Sequence, residues 1–75
     1  MDPVKQLGKL IRTVRKTQGL TQSELGQYAG TGLNFISQLE RGKPNVRFDK
    51  LLDVLEVIGL RLRVEVGKDR IVLES

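Results

Sequence analysis

Glycines at 19, 30, 32 and 42 divide the middle of this chain into two stretches of about ten residues, each long enough for a short helix and no more. The first stretch has its start fixed twice. Thr21 and Glu24 have the spacing of a capping box, in which a hydroxyl and a carboxylate take each other's orphan backbone N–H groups. Leu20 and Leu25 occupy the two positions of a hydrophobic staple across the same boundary. This helix runs to Ala29 and stops at Gly30, and Thr31 or Gly32 opens the next. There Ile36 and Leu39 point inward until Gly42 ends the helix. Two short helices separated by so few residues form a sharp helix-turn-helix.

The flanks supply the rest of a bundle. Asp2 before Pro3 is an N-cap and first-turn pair, and Leu7, Leu10, Ile11 and Val14 recur at helical spacing, so a helix runs from about Pro3 to Gln18 with Gly19 as its C-terminal cap. A fourth helix follows Lys43-Pro44-Asn45-Val46, with Leu51, Leu52, Val54, Leu55 and Ile58 on its buried side and Gly59 as its stop. After Gly59 the period drops from 3.6 to 2. Leu60, Leu62, Val64 and Val66 alternate with Arg61, Arg63 and Glu65, the pattern of a half-buried strand. Gly67-Lys68-Asp69 then permits a reversal into a second strand, Arg70 to Glu74. The expected fold is mainly α, with a helical domain over residues 1–59 and a strand or hairpin over 60–75. An isolated two-stranded hairpin is marginal in water, so it folds onto its own helices or pairs with the hairpin of a second subunit. The second arrangement gives a homodimer with Leu60, Leu62, Val64, Val66, Ile71 and Leu73 at its interface.

Composition removes most other kinds of function. A core drawn from 75 residues is marginal alone, and with no cysteine or histidine neither a disulfide nor the usual zinc ligands can reinforce it. Oligomerisation is the remaining support. The same absence takes away the commonest general base and the thiolate nucleophile, so no enzyme, metal or cofactor is expected. Asp49, Asp53 and Glu56 share a helix face, which a solvated acidic flank explains better than a metal site. No apolar run approaches the ~20 residues of a membrane span and the N-terminus has no signal-peptide pattern, so the expectation is a cytoplasmic protein, nucleoid-associated when it binds DNA.

The charge balance of +4 permits a polyanionic partner, and its distribution says more. Lys5, Lys9, Arg12, Arg15 and Lys16 precede the central motif and Arg41, Lys43, Arg47 and Lys50 follow it, whereas residues 21–40 hold only Glu24 and Glu40 as charges. Positive charge flanks a motif whose own exposed tips are neutral amides and hydroxyls, as a helix entering duplex DNA requires. Tyr28 and Phe35 read as packing or rim residues, too few and scattered for a surface that stacks single-stranded bases.

Thr21-Gln22-x-Glu24-Leu25, Ala29-Gly30, Phe35-Ile36-Ser37 and Glu40-Arg41-Gly42-Lys43 resemble the helix-turn-helix of the Cro and phage-repressor (XRE) family across residues 5–59. The resemblance implies a lambda-repressor-like bundle of four to five helices. The run Gly42-Lys43-Pro44-x-Val46-Arg47 into Leu51-Leu52, with the Leu60-x-Leu62 alternation, further resembles the HipB-like antitoxin branch. In the family the third helix enters the major groove, which makes Leu33, Asn34, Ser37 and Gln38 the candidate base readers. Asn34 and Gln38 carry amides that can pair bidentately with an adenine edge, Ser37 can donate or accept, and Leu33 can touch a thymine methyl. The resemblance assigns Gln22 to the phosphate backbone at the start of the second helix, and Thr21, Lys43, Asn45 and Arg47 join it. Arg15 and Glu40 match a partly buried salt bridge that ties the first helix to the third.

Three positions depart from the family pattern. Gly26 stands where alanine is usual, implying close approach of the two helices. Gly32 replaces a serine or threonine at the start of the third helix, and Arg47 replaces a small capping hydroxyl at the start of the fourth. The resemblance implies a homodimeric repressor on double-stranded operator DNA, without membrane or metal, and the antitoxin branch adds a HipA-type kinase toxin as partner. The alternatives are a stand-alone repressor, a restriction-modification controller, or an adaptor that keeps the motif only as scaffold.

Overall fold

The computed structural model describes residues 2–65 and 70–74. It holds four helices, α1 (Pro3–Thr17), α2 (Gln22–Ala29), α3 (Leu33–Glu40) and α4 (Phe48–Ile58), followed by strands β1 (Arg61–Glu65) and β2 (Arg70–Glu74). The mainly helical class and the C-terminal β element are therefore present. Local chemistry accounts for the boundaries. The Asp2 carboxylate accepts the Val4 N–H at 2.9 Å at the start of α1. Thr21 Oγ1 accepts from the Glu24 backbone at 3.0 Å while Glu24 Oε1 accepts from the Thr21 backbone at 2.9 Å, completing the reciprocal cap of α2. Gly30 and Gly59, both left-handed, end α2 and α4.

The helices close on a core of Ile11, Leu25, Ala29, Ile36, Leu39, Leu51, Val54, Leu55 and Ile58. Gln18 adds a polar tie at one end, where its amide donates to the Ile58 carbonyl at 2.8 Å and so satisfies a C-terminal orphan of α4 from the end of α1. Three apolar assignments made from spacing change. Leu10 and Leu52 lie on the flanks of their helices' apolar stripes and are 37% and 42% exposed. Leu60, expected at an interface between subunits, is 5% exposed in the chain's own core. The cause is the Gly59 cap: once the chain turns there, the Leu60 N–H donates to the Leu55 carbonyl at 2.8 Å, which folds the residue back over α4.

The two strands pair antiparallel with Leu62 opposite Leu73 and Val64 opposite Ile71. The hairpin is thus formed within one chain. Leu62 packs on the core at the near end of β1, whereas Val64 is exposed. Val66 and the Gly67-Lys68-Asp69 turn lie outside the described residues.

Candidate nucleic-acid interface

Three close approaches of backbone hold α3 in place. A Cβ on Gly26 would stand 2.5 Å from the Gly32 carbonyl carbon, so only glycine lets the end of α2 meet the turn that opens α3. Gly32 itself has φ of 100° and starts α3 without a side-chain cap. On the opposite side, a Cβ on Gly8 would lie 2.5 Å from the Leu39 carbonyl oxygen and 2.8 Å from that of Glu40, so α1 crosses the last turn of α3 at backbone distance. Beyond that turn Gly42, with φ of 82°, passes against Lys5, whose Cγ a Cβ would approach to 2.6 Å.

A buried polar cluster completes the support. Arg15 Nε donates to Glu40 Oε2 at 2.6 Å and its Nη2 to Oε1 at 3.0 Å, a two-pronged pair between side chains 8% and 3% exposed. The remaining capacity is also used: Arg15 Nη1 donates to the Leu20 carbonyl at 2.8 Å, and Gln22 Nε2 donates to Glu40 Oε1 at 3.0 Å. One carboxylate thereby joins α1, the turn before α2, α2 and α3. Among the described residues no buried side-chain nitrogen or oxygen lacks a partner.

With Ile36, Leu39 and Glu40 turned inward, α3 presents Leu33 and Asn34 on its exposed face and Ser37 and Gln38 at the half-buried edge of the same face. The four candidate readers therefore lie together on one exposed strip. Gln38 carries a qualification: its Oε1 accepts from Lys43 Nζ at 3.5 Å, and bidentate pairing with adenine requires that oxygen. The contact is long and exposed, and therefore weak.

The candidate phosphate residues are less uniform. Gln22 is half-buried with one amide hydrogen committed to Glu40, so its first duty is structural, and the unpaired first-turn N–H groups of Gln22 and Ser23 are the better anion donors at that helix end. Thr21 is exposed at the cap, with its hydroxyl hydrogen still available. Lys43 and Asn45 are exposed in the loop after α3. Arg47 provides no side-chain cap for α4 and instead grips Asp49, with Nε to Oδ1 at 3.2 Å and Nη2 to Oδ2 at 2.8 Å. That hydrogen bonding holds the exposed Asp49 carboxyl below its ordinary pKa, and a phosphate would have to displace the aspartate to engage Arg47. The sequence marked Lys5 only as one of the flanking charges and gave no role to Gly8. Gly8 was the readable one, because a glycine inside an amphipathic helix costs about 1 kcal/mol relative to alanine and calls for a packing reason. Among the described residues no His, Cys, Asp or Glu group could hold a metal ion, and no helix is long and apolar enough to cross a membrane.

Comparison with known proteins accords with this geometry. Residues 11–64 match the family model described as helix-turn-helix. The chain belongs to the XRE-type helix-turn-helix family. It is 47% identical over 64 residues to y4mF, an uncharacterised HTH-type transcriptional regulator of Sinorhizobium fredii, covering 85% of this chain and 84% of that one. It is 32% identical to the antitoxin PezA of Streptococcus pneumoniae, with 85% of this chain aligned to 53% of that protein. Among solved structures, the restriction-modification controller C.AhdI of Aeromonas hydrophila superposes with a TM-score of 0.68 at 25% identity, covering 75% of this chain and 81% of that one. The clp gene regulator ClgR of Corynebacterium glutamicum gives 0.66 at 31%, covering 73% and 70%. An XRE-type chain of this kind is a DNA-binding transcriptional regulator and not an enzyme.

Proposed function

We propose that this XRE-type regulator is a sequence-specific repressor that binds a palindromic operator as a homodimer, with α3 of each subunit in the major groove. The observation that carries the reading is the exposed strip of Leu33, Asn34, Ser37 and Gln38 on a helix whose other side is locked by the Arg15–Glu40 pair. Asn34 is the principal reader, being exposed and making no side-chain hydrogen bond among the described residues. Thr21, Lys43 and Asn45, with the α2 first-turn amides, set affinity and register on the phosphates, and Arg47 joins them if it leaves Asp49. Two-fold symmetry calls for half-sites about one helical turn apart, ~34 to 36 Å, or a multiple of it.

The test is a binding titration on the DNA upstream of the chain's own gene and on random duplex, each at two salt concentrations. Asn34→Ala loses roughly 1 to 3 kcal/mol on the specific site alone, and Lys43→Ala weakens both duplexes and lowers the salt slope by about one. Equal losses on both duplexes for Asn34→Ala refute its role as a reader.

For the regulatory setting, the antitoxin reading is preferred. It is supported by the C-terminal hairpin and by the similarity to PezA, and it makes the chain a HipB-like antitoxin that sequesters a HipA-type kinase while repressing their shared operon. The likeness to C.AhdI supports a second reading, a restriction-modification controller or stand-alone repressor with no toxin. Co-purification of a kinase encoded beside this gene supports the first, and a neighbouring restriction enzyme whose transcription follows the regulator supports the second.

A further inference from the structure

The cations of α1 have no part in the base-reading strip or its support, apart from Arg15. Lys5, Lys9, Arg12 and Lys16 are spaced by four, three and four residues, so they fall within about 60° of arc and make one stripe about 16 Å long. All four are exposed, and none has an ion-pair partner among the described residues. The helix contains no acid between Pro3 and Thr17. Like charges at these spacings repel along a helix, so the arrangement weakens α1 in the free chain, and a surface that needed only solvation would do better with acids interleaved. Gly8 and Arg15 occupy the adjoining sector of α1, set against the last turn of α3, and the stripe is the outer shoulder of that contact. At one end Lys5 lies against Gly42, the residue before Lys43. At the other, Lys16 follows Arg15, whose Nη1 donates to the Leu20 carbonyl just before Thr21. The stripe thus runs from the loop after α3 toward the start of α2, the two places that hold the candidate phosphate residues.

We infer that Lys5, Lys9, Arg12 and Lys16 form a phosphate rail, a sequence-independent surface that lies along the backbone of the duplex whose groove α3 enters and supplies most of the salt-dependent affinity. The inference rests on the DNA-binding reading and names the helix that performs this part of it. Duplex DNA carries one negative charge per about 1.7 Å of axis, so a cationic helix of this length meets phosphates wherever it lies along the backbone, and compact ammonium groups on flexible stems need no fixed base geometry. An acidic protein is the poorer match. The stripe is bordered by Gly8, Thr13 and Gln6 and holds no apolar residue, whereas protein interfaces need a buried apolar or aromatic anchor and are depleted in lysine. Three exposed acids, Asp49, Asp53 and Glu56, sit together on α4 instead. That separation of sign turns an approaching duplex toward α1 and away from the outer face of α4.

The experiment titrates the full chain, wild type and variants, against the DNA upstream of its own gene and against random duplex over a series of salt concentrations, with circular dichroism to check folding. The fourfold variant K5Q/K9Q/R12Q/K16Q keeps helix propensity and removes the rail. It is expected to lose affinity for both duplexes by the same factor, at least about tenfold at the lowest salt, and to flatten the salt slope by about two to four, since each phosphate contact contributes about 0.9. Phosphates whose ethylation blocks the wild type but not this variant then mark where the rail lies. Should the fourfold variant unfold, K5Q/K9Q and R12Q/K16Q carry the test, each flattening the slope by about one to two. The variant D53N/E56Q changes net charge by the same sign on another face and is expected to leave the slope as in wild type. A rail variant with the wild-type slope and ethylation pattern, or with a loss confined to the specific duplex, overturns the inference, as does a D53N/E56Q slope that shifts as much per charge. The operator reading stands in those cases, because Asn34→Ala and Lys43→Ala test it separately. A wild-type chain that binds neither duplex overturns the DNA-binding reading itself, and the rail with it.

Discussion

Glu40 sits where three segments of the chain meet, and its carboxylate is satisfied by the Arg15 guanidinium and the Gln22 amide. Removing one member of such a buried pair costs about 3 to 5 kcal/mol, because the other charge is left without compensation. A domain of this size has about 4 to 11 kcal/mol in all. Arg15→Met is therefore expected to take away a large part of the stability in urea unfolding, and Arg15→Met with Glu40→Leu to lose less than the single change. A double variant less stable than either single one would contradict this account. Asp49 is a residue-scale case of the opposite, exposed kind. Its folded pKa lies below the ordinary 3.8, so its contribution is present above that value and is lost as the pH falls through the depressed one. The Lys50 backbone N–H, which donates to its Oδ1 at 2.9 Å, is expected to report that lowered midpoint in an NMR titration, and Arg47→Ala should return the midpoint upward.

At the scale of elements, two helical glycines set how α3 is held. Gly26→Ala improves helix propensity by about 1 kcal/mol, yet the new methyl would meet the Gly32 backbone, and strain of that kind costs typically 1 to 3 kcal/mol. A net loss of stability is expected in thermal unfolding, with weaker operator binding, since relief requires α3 to move away from α2. Gly8→Ala pushes α1 off the Leu39 and Glu40 carbonyls and is expected to act in the same direction. Thermal midpoints raised by either substitution would show that the close approach relaxes at little cost. The Thr21–Glu24 cap behaves differently, being local and complete within α2.

For the molecule as a whole, the boundary between the helical domain and the hairpin does not fall at Gly59 in the packing. Leu60 belongs to the helical core and Leu62 rests on it, while Val64 extends beyond. A chain ending after Arg63 is accordingly expected to keep its helical circular dichroism and unfold cooperatively. It should associate more weakly than the full chain and lose affinity for a palindromic site more than for a half-site. A chain ending after Gly59 loses a buried leucine as well, with an expected cost of about 2 to 5 kcal/mol. If both truncations unfold alike, the core extends further along the hairpin than the burial of Leu60 and Leu62 implies.

The element order, the capping box, the left-handed stops at Gly30 and Gly59 and the inward turn of Ile36 and Leu39 were legible in the sequence, because each depends on residues within a turn or two of one another. The strip on α3 was legible for the same reason: once the buried side of a short helix is known, its outer face follows from the period. What neighbours in space decide was not legible. Only the packed fold shows that Gln22 is drawn inward by Glu40, that Arg47 turns to Asp49, and that Gly8 is needed by the carbonyls of a helix about thirty residues away. Leu52 and Leu60 exchanged their expected places because hydrophobic periodicity marks an apolar face without saying which surface covers it, and that depends on where the chain goes after Gly59.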